Sequence, residues 1–132
     1  MDHLTSGFDP RYLLFSANYC IFIPVDREKR WSILYDQARI DVVLKVEAGV
    51  VTGFSVNLSY REGEEYHEVI RYDTAHGYVH VHRFWESDEM QRWRSYEGRP
   101  LAEAFQAAYD DIKANWERYI ELYKRKRGMR RR

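Results

Sequence analysis

Apolar residues recur at every second position through the middle of this chain and at every third or fourth position near its end. Ile40, Val42, Leu44 and Val46 alternate with Asp41, Lys45 and Glu47. Val50, Thr52, Phe54, Val56, Leu58 and Tyr60 share one side of the next run, whose other side carries Ser55, Asn57 and Ser59. A period of two sends successive side chains to opposite faces, so both runs predict strands with one buried face. Glu47-Ala48-Gly49 joins them, with glycine where a left-handed residue is needed. Arg61-Glu62-Gly63-Glu64-Glu65 closes a second hairpin, and Asp73 to Gly77 a third, between Tyr66 to Tyr72 and Tyr78 to Trp85. These runs predict an antiparallel meander of four or more strands.

The flanks are less regular. Residues 1–10 read as loose, and the apolar stretch 11–25 as a short first element followed by a strand near 18–24, with a helix over 11–17 as the alternative. Asp26 to Arg30 reads as a charged turn, and Trp31 to Tyr35 as a short strand. Residues 86–99 are polar and aperiodic, with Trp93 and Tyr96 as isolated anchors. From Pro100 onward, Leu101, Phe105, Ala108, Tyr109, Ile112, Trp116, Tyr119, Ile120 and Tyr123 form one stripe at helical spacing. That predicts a long amphipathic helix ending near Gly128, about 40 Å long, with its last turns projecting beyond the sheet. The fold class is therefore α+β: one domain over residues 1–132, with an antiparallel β-meander packed by a C-terminal α-helix. An oligomer seam, and with it a homodimer, is the other use of such a stripe.

Composition narrows the picture. A chain of 132 residues suits one core, and 45% hydrophobic residues can fill it. Net charge is zero but unevenly spread: residues 124–132 hold seven basic side chains and no acid, leaving residues 1–123 at −7. An acidic body with a basic tail meets polyanions through the tail or a local patch. Cys20 is the single cysteine, which excludes an internal disulfide and reads as a small core residue. No secretory signal order and no bilayer-length apolar run is present, so a cytoplasmic protein without membrane attachment is expected.

The chemistry concentrates in Val69 to Phe84. Three of five histidines, His76, His80 and His82, lie within seven positions, beside Arg71, Asp73, Tyr72, Tyr78 and Arg83. Imidazole titrates nearest neutral pH, so such a cluster invites proton transfer or metal binding. Pairing Tyr60 with Tyr66 and Tyr72 with Tyr78 would set Ile70 opposite His80, Glu68 opposite His82 and Tyr66 opposite Phe84, with Arg71 against Val79 and His67 against Arg83. That register puts Glu68 on the apolar face, where an unpaired carboxylate is costly. One reading is metal-free RNA cleavage, with His80 and His82 as base and acid, His76 in reach, Arg71 or Arg83 on phosphate, and Tyr72 or Tyr78 under a base. A second is a metal site, His76-x3-His80-x-His82 with Asp73 or Glu68. A third is structural: Asp73 caps the turn and Gly77 supplies a positive φ.

Arg71-Tyr72-Asp73-Thr74-Ala75-His76-Gly77-x-x-His80-x-His82 resembles a signature of small bacterial proteins in which an R-Y-D-x-A-H-G-like turn precedes histidines. It is similar to the TumE-like toxins of bacterial toxin–antitoxin pairs. The resemblance implies an intracellular growth-inhibiting toxin acting on RNA and neutralised by a cognate antitoxin, without a cofactor. It highlights Arg71, Tyr72, Asp73, His76, His80 and His82. The adjacent histidine pairs of those toxins are missing, since Val79 and Val81 intervene. The rival expectation is a non-enzymatic module whose helix and basic tail engage protein or nucleic acid.

Overall fold

The computed structural model describes residues 12–14, 22–24, 27–86 and 89–130, with side chains described over 27–86 and 89–127. The expectations for residues 1–10, Cys20 and the last two arginines lie outside the described residues. In the apolar stretch 11–25, strands β1 (Tyr12–Leu14) and β2 (Phe22–Pro24) pair antiparallel as a sheet of two.

The main sheet has six strands in meander order: β3 (Arg27–Leu34), β4 (Ala38–Glu47), β5 (Val50–Glu62), β6 (Glu65–Asp73), β7 (His80–Arg83) and β8 (Gln91–Arg92). Every pairing is antiparallel. The charged turn expected over Asp26 to Arg30 is instead the first half of β3, where Arg27 pairs with Val46 and Lys29 with Leu44. β3 lies at the sheet edge. Charged side chains at an edge discourage pairing with another chain, so its composition disguises the strand. The β4–β5 turn places Ala48 and Gly49 at positive φ, as a two-residue hairpin of right-handed twist requires. Gly63 holds the positive φ in the next turn.

A short 3-10 turn (Arg94–Tyr96) leads to α1 (Leu101–Arg130). Pro100 stands just ahead of the helix, and its carbonyl accepts from the N–H groups of Glu103 and Ala104. α1 lies along β5: Phe105 meets Phe54 near one end, and Tyr123 meets Tyr60 near the other. Ala104 and Ala108 are fully buried, small enough for the helix to approach closely. They complete a core with Ile40, Val42, Val56, Leu58, Ile70 and Ile112. Tyr123 is buried, so the helix stays on the sheet for longer than expected. Its partner strand has 13 residues, enough to support a long helix at about 3.4 Å per residue. Only beyond Tyr123 do Lys124, Arg125 and Lys126 stand exposed.

Two irregularities decide which side chains share a face. Leu58 pairs with Ile70 but Ser59 with Glu68, so Val69 is an extra residue in β6. Such a bulge reverses the alternation beyond it. Second, the turn after Asp73 is wider than expected: β7 starts at His80, with Asp73 opposite His80, Arg71 opposite His82, Tyr72 opposite Val81 and Ile70 opposite Arg83. The expected pairings of Ile70 with His80, Glu68 with His82, Tyr66 with Phe84, Arg71 with Val79 and His67 with Arg83 are all replaced. Tyr60 pairs with His67 rather than with Tyr66. The β6–β7 offset is odd, so it exchanges the faces of β7.

Candidate functional site

On the face away from α1, alternation brings Asn57, Arg71 and His82 into one cross-strand row, and Ser55, Asp73, His80 and Arg92 into the next. The bulge at Val69 turns Glu68 to this same face. The tension of a carboxylate under the helix is thereby removed: Glu68 accepts from Arg71 Nη1 at 2.7 Å and from Asn57 Nδ2 at 3.1 Å. Arg71 Nε donates to Asp73 Oδ2 at 3.0 Å. The other Asp73 oxygen, Oδ1, accepts from the Ala75 N–H at 3.1 Å and lies 3.6 Å from His80 Nδ1. Asp73 and His80 are both buried, at 8% and 5% exposure.

The loop from Thr74 to Val79 holds the remaining groups. Thr74 is anchored to Phe54, its N–H donating to the Phe54 carbonyl and its Oγ1 accepting from the Phe54 N–H at 2.9 Å. Gly77 donates back to the Thr74 carbonyl and takes a φ of 84°, a conformation open to glycine at little cost. The exposed His76 ring is thus set edge-on to His80, with centroids 5.2 Å apart. Tyr78 lies 4.3 Å from the His80 ring on another side and carries Arg92 over its own face at 3.7 Å. His82 stacks on Phe84 at 3.7 Å.

Six of the expected site residues therefore meet on one face: Arg71, Asp73, His76, Tyr78, His80 and His82. Tyr72 and Arg83 do not: Tyr72 shares the helix face with Ile70 by alternation within β6, and the odd register turns Arg83 of β7 to that face as well. Tyr72 is buried, and its hydroxyl donates to Asp111 Oδ2 at 2.8 Å, which leaves no free ring face to stack a base. Arg71 is held between two carboxylates at 29% side-chain exposure, whereas Arg92, paired with Glu97 alone, keeps 43% and is the more open arginine beside the imidazoles. The unpartnered buried atoms are telling. His80 Nδ1, His82 Nδ1 and Asn57 Oδ1 have no hydrogen-bond partner among the described residues, and all three lie on this face. Buried polar atoms are usually satisfied, and exceptions concentrate at sites of chemistry or ligand binding.

The helix side has a polar cluster of the opposite kind. Asp111 accepts from Tyr72, from Tyr119 at 2.7 Å and from Asn115 Nδ2 at 2.9 Å. Burial, reinforced by the bond to Asp111 and its charge, pushes the Tyr119 hydroxyl up to about 12 and that of Tyr72 further up. Sequence reasoning missed Asp111, Arg92 and Arg99. The interleaved Arg92-Trp93-Arg94-Ser95-Tyr96 was the legible signal for a cation-and-aromatic surface.

Among the described residues, no three His, Cys, Asp or Glu side chains are placed to hold a metal ion. No described helix is long and apolar enough to cross a membrane. The fold and site define an α+β meander domain with a histidine–aspartate face opposite its helix. The chain belongs to DUF7718, a domain of unknown function, whose model matches residues 26–129. No curated protein and no solved structure matches it.

Proposed function

We propose that this protein is a metal-independent ribonuclease of the toxin kind, acting through the Asp73, His76 and His80 group and neutralised in the cytoplasm by a cognate antitoxin. The observation that carries the reading is His80: a buried imidazole with Nδ1 beside a carboxylate that Arg71 and the Ala75 N–H hold in place, and with a solvent-exposed second imidazole at its edge. In this reading the 3.6 Å between Nδ1 and Asp73 Oδ1 closes to a hydrogen bond when substrate is bound, which orients the ring and leaves Nε2 to take a proton.

In this reading His80 removes the proton from a ribose 2′-hydroxyl. The 2′-oxygen forms a bond to phosphorus, the bond from phosphorus to the 5′-oxygen breaks, and His76 protonates the departing oxygen. The products are a 2′,3′-cyclic phosphate and a 5′-hydroxyl. His82 lies one residue pair along the same face and adds a further donor to the phosphate.

The test is cleavage of single-stranded RNA by purified protein in a chelator. His80→Ala and His76→Ala should each lower the rate about 10²–10⁴-fold, the usual worth of an acid or base, while the fold persists. Growth arrest on expression should vanish with them. Full cleavage by His80→Ala, or cleavage that needs added metal, would defeat the reading. The exposed Lys124, Arg125 and Lys126 favour a second reading, a binding module. There, removal of residues 124–132 would abolish activity and the histidine variants would leave it intact.

A further inference from the structure

A cavity of about 300 Å³ opens beside the imidazole face. Its lining includes Tyr78, Arg92, Trp93, Tyr96, Glu97 and Arg99. Three features make it more than a surface dent. Three aromatic rings line it: Trp93 lies 4.6 Å from Tyr96, and Tyr78 backs onto the His80 ring. Its cations sit on those rings, Arg92 at 3.7 Å from Tyr78 and Arg99 at 5.2 Å from Tyr96. Its walls are tied to the sheet, since the Trp93 N–H donates to the Val79 carbonyl at 2.9 Å.

Both arginines have carboxylate partners, Arg92 with Glu97 at 2.8 Å and Arg99 with Glu103 at 3.1 Å. All four side chains are about half exposed. Exposed pairs of this kind hold weakly, and a phosphate offers each guanidinium a better-matched fork. A volume near 300 Å³ lies at the small end of ligand sites, which suits one flat ring system rather than a long chain. The larger groove, about 380 Å³ beside Tyr60 and Trp116, sets three carboxylates, Asp36, Glu117 and Glu121, against Lys124, whereas this cavity sets two arginines against Glu97; the balance of charge favours an anion here.

We infer that this cavity is a nucleotide subsite: a nucleobase stacks among Tyr78, Trp93 and Tyr96, and its phosphate takes Arg92 and Arg99. The assignment of RNA as the source rests on the ribonuclease reading; the cavity's preference for a nucleobase with a phosphate does not. Through Tyr78 and Arg92 the subsite abuts His80, so a base seated here would bring an adjoining phosphodiester toward the imidazoles.

The experiment is a binding titration on catalytically silenced His80→Ala protein, using adenosine and uridine 3′-monophosphates, inorganic phosphate and a single-stranded RNA tetranucleotide. At least one nucleotide should bind at least tenfold more tightly than phosphate. Arg99→Ala and Tyr96→Ala should each weaken it about fivefold or more, with unchanged melting profiles. Arg92→Ala should do the same, and the other two variants decide if it fails to fold. Phosphate binding as well as nucleotide, or nucleotide binding indifferent to Arg99 and Tyr96, overturns the inference. A tetranucleotide bound tenfold more tightly than a mononucleotide assigns the site to RNA, whereas equal affinity overturns RNA and leaves a free nucleotide. Nucleotide binding by a wild-type protein that cleaves nothing sinks the ribonuclease alone. Cleavage insensitive to Arg99 and Tyr96 sinks the subsite alone.

Discussion

The two faces of the sheet solve the same problem in opposite ways. Each carries acids and their partners, on the strands themselves at the open face and mainly on α1 at the covered one. Under the helix, Asp111 is saturated by Tyr72, Tyr119 and Asn115, and Trp31 Nε1 is the one buried polar side-chain atom left without a partner among the described residues. On the open face, three such atoms remain unpaired, two of them on imidazoles. A satisfied polar cluster locks packing, while an unsatisfied one leaves free energy that a ligand can recover. The covered face contributes stability through paired groups, and the open face keeps buried polar atoms without partners among the described residues.

That contrast can be broken most sharply at the core. Ile112 is fully buried between α1 and the sheet, so Ile112→Ala should cost about 2–5 kcal/mol in urea unfolding. A loss below about 1 kcal/mol would mean that the helix does not close the core. Asp111→Ala strands two tyrosine hydroxyls, while the Asn115 amide keeps its bond to the backbone carbonyl of residue 111, and should cost about 1–3 kcal/mol. Tyr119→Phe should cost less, and much less again in the Asp111→Ala background, because the two groups share one cluster.

Smaller effects probe the open side. A Cβ on Gly53 would come within 3.1 Å of Thr74 Oγ1, which is already held by Phe54, so Gly53→Ala should cost about 1 kcal/mol. The site loop should loosen with it. His82→Phe removes an unpaired buried nitrogen and keeps the stack on Phe84. It should raise stability by about 1 kcal/mol; a loss of similar size would show that His82 has a partner in solution.

The last test varies pH. Tyr119 is raised to about 12 by burial and Asp111, and Tyr60 to about 12 by burial and its bond to Glu62. Unfolded tyrosine ionises near 10. Between about pH 10 and 12 the folded chain therefore holds protons that the unfolded chain has released, and stability should fall as pH rises through that window. Melting curves across it, beside tyrosinate absorbance, give the measurement. Asp111→Asn should shift the tyrosinate transition downward; an unmoved transition would disconnect Asp111 from the tyrosines.

The strands from Ile40 to Tyr60 and the helix stripe were legible because one buried face leaves a periodic trace. β3 was half hidden, because an edge strand can afford charge at Arg27 to Arg30. The site was legible as a cluster but not as a geometry. Val69 looks like any other strand residue, yet its bulge moves Glu68 from one face to the other. The Thr74 to Val79 loop looks like a tight turn, yet its extra length puts His80 opposite Asp73. Each is a difference of one to three residues, and a period of two converts any odd difference into a change of face.

By itself, then, the sequence determined an α+β meander capped by one amphipathic helix and gathered the imidazoles, Arg71 and Asp73 into one hairpin. These follow from local periodicity and from proximity along the chain. Only the tertiary structure decided that Arg83 faces the helix, that Asp111 binds Tyr72 from 39 positions away, and that Arg92 and Arg99 share a cavity beside His80. Those outcomes depend on register and on packing between distant segments, which hydrogen bonds in a loop and a single extra strand residue settle after the elements have formed.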